Sequence, residues 1–148
     1  MKILLAVDES PGSEDAVIEV AQRSWPPGTI VRMVHVIEKF VPPAAELWYD
    51  AEGSIEQANE EIVEQQEKVL EQLASILRGR SLKIEKTIKH GQTGECIVAE
   101  AEKWGTDLVV LGSHGHGKIV RLLFGSVSRF VSEHASCSVE VVHTKRAA

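Results

Sequence analysis

The feature that most constrains this chain is a regular alternation of short apolar runs with stretches of helical spacing. Apolar runs of strand length occupy five places: Ile3–Val7, Thr29–Ile37, Leu82–Ile88, Asp107–Leu111 and Val139–Val142. The stretches between them predict helices over Ser10–Arg23, from Ser54 to about Gly79, over Thr93–Trp104 and over Ser126–His134. Strands that alternate with helices are typical of βαβ crossovers, so the sequence predicts an α/β fold with a mainly parallel sheet.

The composition of the runs also predicts their order in the sheet. Ile3–Val7 and Leu108–Leu111 are apolar throughout, as is typical of central strands covered on both faces. Leu82–Ile88 alternates and Val139–Val142 is short, and both features favour edge strands. With right-handed crossovers, the order 3-2-1-4-5 satisfies these preferences. We therefore expect residues 1–148 to form one domain, an open five-stranded Rossmann-like sheet with helices on both faces.

Capping residues mark the expected ends of the helices. Ser10 is placed to cap the first helix. Ser54 and Gln57 have the spacing of a capping box at the start of the long second helix. Gly79 and Gly105 are placed to end the second and third helices.

The charge balance and the cysteines exclude several classes of function. The formal charge is −6, without a long run of either sign, and an acidic domain lacks the basic surface of a general nucleic-acid binder. The opening apolar run is too short for a signal peptide, and no stretch approaches a membrane span. Cys96 and Cys137 lack CxxC spacing, as expected of reduced thiols. We expect a cytoplasmic protein with neither a nucleic-acid nor a membrane partner.

The predicted strand order creates a switch point between strands 1 and 4, where ligands of open α/β sheets bind. Asp8 follows strand 1 there, and strand 4 leads into the segment Gly112-x2-Gly115-x9-Gly125-Ser126. Glycines allow a ligand to approach the backbone and permit conformations that are closed to residues with a Cβ. The residues Gly125–Val127 stand at a predicted helix N-terminus, where unpaired N–H groups receive anions.

This glycine pattern resembles that of the universal stress proteins, whose ATP-binding branch carries G-x2-G-x9-G followed by Ser or Thr. The resemblance also covers Asp8, His35-Val36, Asp107–Val110 and the final strand, and so nearly the whole chain. It implies that Asp8 bonds the ribose hydroxyls and that an adenine slot is lined by Ala6, Val7 and Val36. It further implies ribose and phosphate contacts at Gly112 and Gly115, and a cradle for the terminal phosphates formed by Gly125, Ser126 and Val127.

Several of these positions also allow plainer interpretations. Asp8 can instead be a partner of the first helix's N-terminus, and the glycines can form an ordinary tight loop. Leu111 can line the slot or simply belong to the core. His114 is interpreted as an exposed or phosphate-facing imidazole, because no set of further metal ligands is evident nearby. Arg121, like Lys118, can approach the phosphates or remain solvated.

Two other phosphate-binding motifs do not fit the sequence. Gly112-x4-Gly117-Lys118 matches most of a Walker A loop, but Ile119 stands where the Mg²⁺-binding Ser or Thr belongs. The dinucleotide-binding fingerprint fails because no G-x-G-x-x-G follows the first strand.

The resemblance implies a regulatory module of a stress response that binds ATP, or AMP or ADP, with Mg²⁺ or Mn²⁺ accompanying the phosphates. No general base with an orienting partner is evident near the glycine loop, so we assign no catalytic residue and no protein-bound metal. A slow ATPase or phosphotransfer enzyme is the alternative. We also expect a homodimer through Val139–Val142, because a free strand edge can pair with a second copy and family members commonly pair there. The alternative is an edge shielded by the tail Thr144–Ala148.

Overall fold

Strands and helices alternate along the chain as the sequence pattern predicts. The computed structural model describes residues 1–38, 53–113 and 125–144. The strands are β1 (Lys2–Ala6), β2 (Ile30–Ile37), β3 (Lys83–His90), β4 (Leu108–Gly112) and β5 (Ser138–Val142). The helices are α1 (Pro11–Gln22), α2 (Ser54–Leu77), α3 (Thr93–Trp104) and α4 (Ser126–His134). The predicted bounds of α3 and α4 are confirmed, and the strand bounds shift by one or two residues.

The five strands form one parallel sheet in the order β3-β2-β1-β4-β5, which confirms the predicted order. β1 lies at the centre, with Ala6 opposite Val34 of β2 on one side and Leu111 of β4 on the other. Ile3, Leu4 and Leu5 are fully buried. The continuous apolar character of β1 therefore reflects burial on both faces of the sheet.

Two hydrophobic clusters cover the two faces of the sheet. Alternate residues of β1 point to opposite sides, so Ile3, Leu5 and Val7 join α1 and α2 in one cluster. Leu4 and Ala6 join α3 and α4 in the other. The helix that follows β1 and the helix that follows β4 thus pack on opposite faces of the sheet.

The ends of the helices follow the expected caps at three of four places. Ser10 is the N-cap of α1, and its hydroxyl accepts a hydrogen bond from the Ser13 amide. Gly79 and Gly105 follow α2 and α3 with φ values of 78° and 68°, the left-handed conformation that glycine adopts without strain. The capping box at Ser54 is wrong. Gly53, with φ of 72°, is the N-cap, so Ser54 is already the first helical residue.

A charged network ties β2 and β3 to α3 on one face of the sheet. Arg32 bonds Glu85 at 2.7 Å and Glu100 at 2.8 Å, and Lys89 bonds the other oxygen of Glu100 at 2.8 Å. The Arg32 guanidinium also lies 4.1 Å from the centre of the Trp104 ring. Glu100 is 6% exposed, and its two partners supply the charge compensation that a buried carboxylate needs.

Two further observations concern the cysteines and the length of the apolar helices. Cys96 and Cys137 are both free thiols. Within the described ranges, no helix has the length and apolar character needed to cross a bilayer.

Candidate functional site

The candidate site lies at the carboxyl ends of β1 and β4, where the sequence places the switch point. Ala6 and Leu111 are paired neighbours there. Beyond them the chain turns to α1 on one face after β1, and α4 packs on the other face. Because α1 and α4 pack on opposite faces of the sheet, the ends of β1 and β4 form a switch point, the place where ligands of open α/β sheets bind.

An apolar wall lines one side of these strand ends. Ala6, Val36, Leu111 and Val127 all belong to the cluster on the α3 and α4 face, although the four residues come from distant parts of the chain. Ala6 is 7% exposed and Leu111 4% exposed, so Leu111 belongs to the core as well as to this wall. Val7 differs from its expected companions because its side chain packs in the opposite cluster.

The backbone of Val7 is held by β2. Its amide donates to the Val34 carbonyl at 2.9 Å, and its carbonyl lies 2.9 Å from Nδ1 of His35. A carbonyl only accepts hydrogen bonds, so His35 carries its proton on Nδ1. His35 thus fixes the point at which β1 turns towards Asp8, a role that sequence reasoning did not assign to it.

Asp8 is held tightly by the first turn of α1. Its Oδ1 accepts hydrogen bonds from the Ser10 amide at 2.8 Å, from the Ser10 hydroxyl and from the Ser13 hydroxyl at 2.7 Å. The Asp8 amide donates to the Ser13 hydroxyl at 2.8 Å. The plainer interpretation of Asp8 as a partner of the helix N-terminus is therefore correct for one of its oxygens. Ser13 was missed at the sequence level, where an N3 serine carries no distinctive signal.

Gly112 allows β4 and α1 to approach closely. A Cβ at Gly112 would lie 2.6 Å from both the carbonyl carbon and the carbonyl oxygen of Gly12. Contacts this short do not occur for real side chains, so the approach requires glycine. The sequence analysis explained Gly112 by the close approach of a ligand. The structure shows that the contact with Gly12 requires a glycine here whether or not a ligand binds.

The N-terminus of α4 is tied directly to the end of β4. Gly125 is the N-cap, and its amide donates to the Ser113 carbonyl at 2.7 Å. The Ser128 hydroxyl donates to the Gly125 carbonyl at 3.0 Å, and the Ser113 amide donates to the Val142 carbonyl of β5 at 2.8 Å. Ser126, the first residue of the helix, is exposed. The amide groups of the first turn and the Ser126 hydroxyl are therefore presented at the end of β4, where an anion is stabilised.

Three of the predicted contact residues cannot be placed. His114, Gly115 and Arg121 lie outside the described residues. The remaining nine are brought to the same end of the sheet. They lie in the apolar wall, on the turn from β1 to α1, at the end of β4 or at the start of α4.

Comparison with known proteins extends the resemblance seen in the glycine pattern. The model of the universal stress protein family matches residues 1–143. Universal stress protein A homolog 2 of Coxiella burnetii is 31% identical over 146 residues, which cover 97% of this chain and 95% of that protein.

Solved structures share the fold over almost the full length. The hypothetical protein MJ0577, whose structure served to assign its biochemical function, has a TM-score of 0.82 and 27% identity and covers 99% of this chain and 97% of its own. A universal stress protein of Archaeoglobus fulgidus solved with dAMP has a TM-score of 0.64 and 23% identity, with coverage of 95% and 96%. Structures solved with cAMP and with AMP, the latter from Arabidopsis thaliana, have TM-scores of 0.65 and 0.68.

Proposed function

Because this chain belongs to the universal stress protein family, we propose that it binds ATP, or AMP or ADP, at the carboxyl ends of β1 and β4. One observation carries the proposal. An apolar wall, a carboxylate held on the β1–α1 turn and the N-terminus of α4 belong to the same end of the sheet, although they come from separate parts of the chain. These three surfaces match the three chemical parts of a nucleotide: an apolar base, a hydroxylated sugar and an anion.

Each part of the ligand has a proposed partner. The adenine lies against Ala6, Val36 and Leu111, with the Val7 backbone at the edge of the ring. The ribose hydroxyls donate to Asp8. The phosphates meet the first turn of α4, where the Ser126 hydroxyl and the amides of Ser126 and Val127 donate to their oxygens. Gly125, whose own amide is bonded to the Ser113 carbonyl, lets the phosphates approach the start of the helix. His114, Gly115 and Arg121, which belong to the segment between Gly112 and Gly125, are proposed to complete the phosphate contacts.

The nature of the neighbours supports an adenine nucleotide in particular. Three proteins of the same fold were solved with AMP, cAMP or dAMP. We propose that Mg²⁺ or Mn²⁺ accompanies the phosphates as part of the ligand. The protein would then act in the cytoplasm as a regulatory module of a stress response, in which the bound nucleotide sets its conformation or its choice of partner.

The proposal is tested by titration calorimetry of ATP with Mg²⁺ into the purified protein. We expect a Kd between the low micromolar and the submillimolar range, about −5 to −8 kcal/mol. Ser126→Ala removes one hydrogen bond to a charged oxygen, worth roughly 1.5–3 kcal/mol, and should weaken binding about ten- to a hundredfold. Ser132→Ala is the matched control, because Ser132 lies near the other end of α4 and donates to the Ser128 carbonyl.

Two results would overturn the proposal. The first is a parent protein that binds neither ATP, ADP nor AMP at millimolar concentration. The second is an equal effect of Ser126→Ala and Ser132→Ala, which would mean that the N-terminus of α4 does not touch the ligand.

We also propose that two copies pair through β5. Among the described strands, β5 lies at the edge of the sheet and pairs with β4 alone. The charge within the strand, Glu140, accepts hydrogen bonds from Arg23, the residue after α1, at 2.5 and 2.6 Å. An edge whose charge is engaged within its own subunit is less protected against pairing than one that projects a free charge. Antiparallel pairing of two β5 strands about a twofold axis would satisfy the open backbone groups of both.

A further inference from the structure

Ser13 bonds both the backbone and the side chain of Asp8. Its hydroxyl accepts from the Asp8 amide at 2.8 Å and donates to Asp8 Oδ1 at 2.7 Å. Ser13 is 5% exposed, so water does not compete with these bonds. The two bonds close a ring that includes the Asp8 main chain, its side chain and the hydroxyl, and a ring of this kind restricts the side-chain rotamer of Asp8.

The direction of each hydrogen bond in this ring is determined by elementary chemistry. An amide can only donate, so the Ser13 oxygen must accept from Asp8, and its single proton is left for Oδ1. Ser10 repeats the arrangement, because its oxygen accepts from the Ser13 amide at 3.4 Å and its hydroxyl proton points to the same Oδ1. With the Ser10 amide added, Oδ1 receives three donors. It has no capacity left for a ligand.

The second carboxylate oxygen is in a different position. Among the residues that the structure describes, none donates a hydrogen bond to Asp8 Oδ2. An acceptor-only oxygen whose orientation is already set can recognise a donor, such as a hydroxyl, at little cost in entropy.

We propose that Ser13 is a positioning residue that orients Asp8 so that Oδ2 alone recognises the ribose hydroxyls of the nucleotide. This inference rests on the proposed nucleotide site and specifies which atom of the protein recognises the sugar. Ser13 does not touch the ligand. It acts by hydrogen-bonding Oδ1 and so fixing the orientation of the Asp8 carboxylate. Replacement of Ser13 should therefore weaken the binding only of ligands that carry the ribose hydroxyls.

The test compares ATP with 2′,3′-dideoxyATP, which retains the base and the phosphates but lacks both ribose hydroxyls. In the parent protein, the Kd of ATP should be at least about tenfold lower than that of the dideoxy compound. The dideoxy compound lacks the hydroxyls that donate to the charged oxygen of Asp8. Ser13→Ala should weaken ATP binding about three- to tenfold and leave dideoxyATP within about twofold. Ser13→Thr retains the hydroxyl and should restore the discrimination. Ser132→Ala serves again as the control, and circular dichroism monitors folding of every variant.

The outcomes separate this inference from the proposed function. Equal weakening of both nucleotides by Ser13→Ala would show that Ser13 only supports the fold, and the inference would be wrong. A parent protein that binds ATP and dideoxyATP equally would leave nucleotide binding intact but remove the ribose contact, and with it this role of Ser13. Failure of the parent to bind any adenine nucleotide would instead overturn the proposed function. Should Ser13→Ala not fold, Ser13→Cys takes its place with the same expectations, because the thiol nearly keeps the shape of the side chain but is only a weak hydrogen-bonding group.

Discussion

Replacement of Gly112 by alanine tests how closely β4 and α1 approach at the crevice. The new Cβ would lie 2.6 Å from the carbonyl carbon and oxygen of Gly12. Ordinary contacts of this kind are about 3.5 Å or longer, so α1 or β4 must move by nearly 1 Å. Both atoms belong to the backbone, and the clash cannot be relieved by rotating a side chain.

The expected cost follows from that geometry. Overpacking of a close-packed site costs about 1–3 kcal/mol. Alanine also restricts the unfolded chain, which offsets roughly 0.4–1 kcal/mol. The net loss is about 0–2.6 kcal/mol with a midpoint near 1.3 kcal/mol, and this midpoint corresponds to a fall in Tm of roughly 3–5 °C for a domain of this size. Because Asp8 and the first turn of α1 must shift as well, ATP affinity should fall in the same variant.

Gly94→Ala is the matched control for this experiment. A Cβ at Gly94 would also lie 2.6 Å from its nearest neighbour, but that neighbour is Cδ1 of the Phe130 ring. An aromatic side chain can tilt, and alanine within a helix gains up to about 1 kcal/mol over glycine. We expect this variant to melt within about 2 °C of the parent by scanning calorimetry. Should Gly112→Ala melt at or above the parent temperature, or no lower than Gly94→Ala, the argument from the Gly12 contact is wrong.

Two further predictions concern the charged network and the free strand edge. Burial opposes the charged form of Glu100, but its bonds to Lys89 and Arg32 outweigh that effect and lower its pKa. The stability it contributes is therefore present above the pKa of an unfolded glutamate, about 4.3, and is lost as the pH falls through the lower folded value. Glu100→Gln should reduce Tm at pH 7 and flatten its fall between about pH 5 and 3, whereas Glu102→Gln, exposed on the same helix, should leave the profile unchanged. For the strand edge, light scattering should show a dimer of the parent and a folded monomer for Val141→Pro, in which a ladder donor is removed; a parent that is monomeric at high micromolar concentration would contradict pairing through β5.

The sheet and its switch point could be predicted because they depend on local patterns. Burial on both faces makes β1 and β4 continuously apolar, and the alternating β3 and short β5 then fall to the edges. The bounds of α3 and α4 followed from periodicity and from glycines at their ends. The strand order in turn places Asp8, Gly112 and the start of α4 at one end of the sheet. The sequence by itself therefore determined where the switch point of the sheet would lie and which residue types would surround it.

Only the tertiary structure decided how those residues are held. The contact of Gly112 with Gly12 joins two segments a hundred positions apart, and no local pattern reports it. Gly53, rather than Ser54, is the N-cap of α2, in a left-handed conformation that glycine adopts without strain. Ser13 looks like any serine in a first helical turn until the fold places its hydroxyl between the amide and the carboxylate of Asp8. Periodicity and propensity are properties of neighbouring residues, whereas the direction of a hydrogen bond and the room for a Cβ depend on atoms that meet only when the chain has folded.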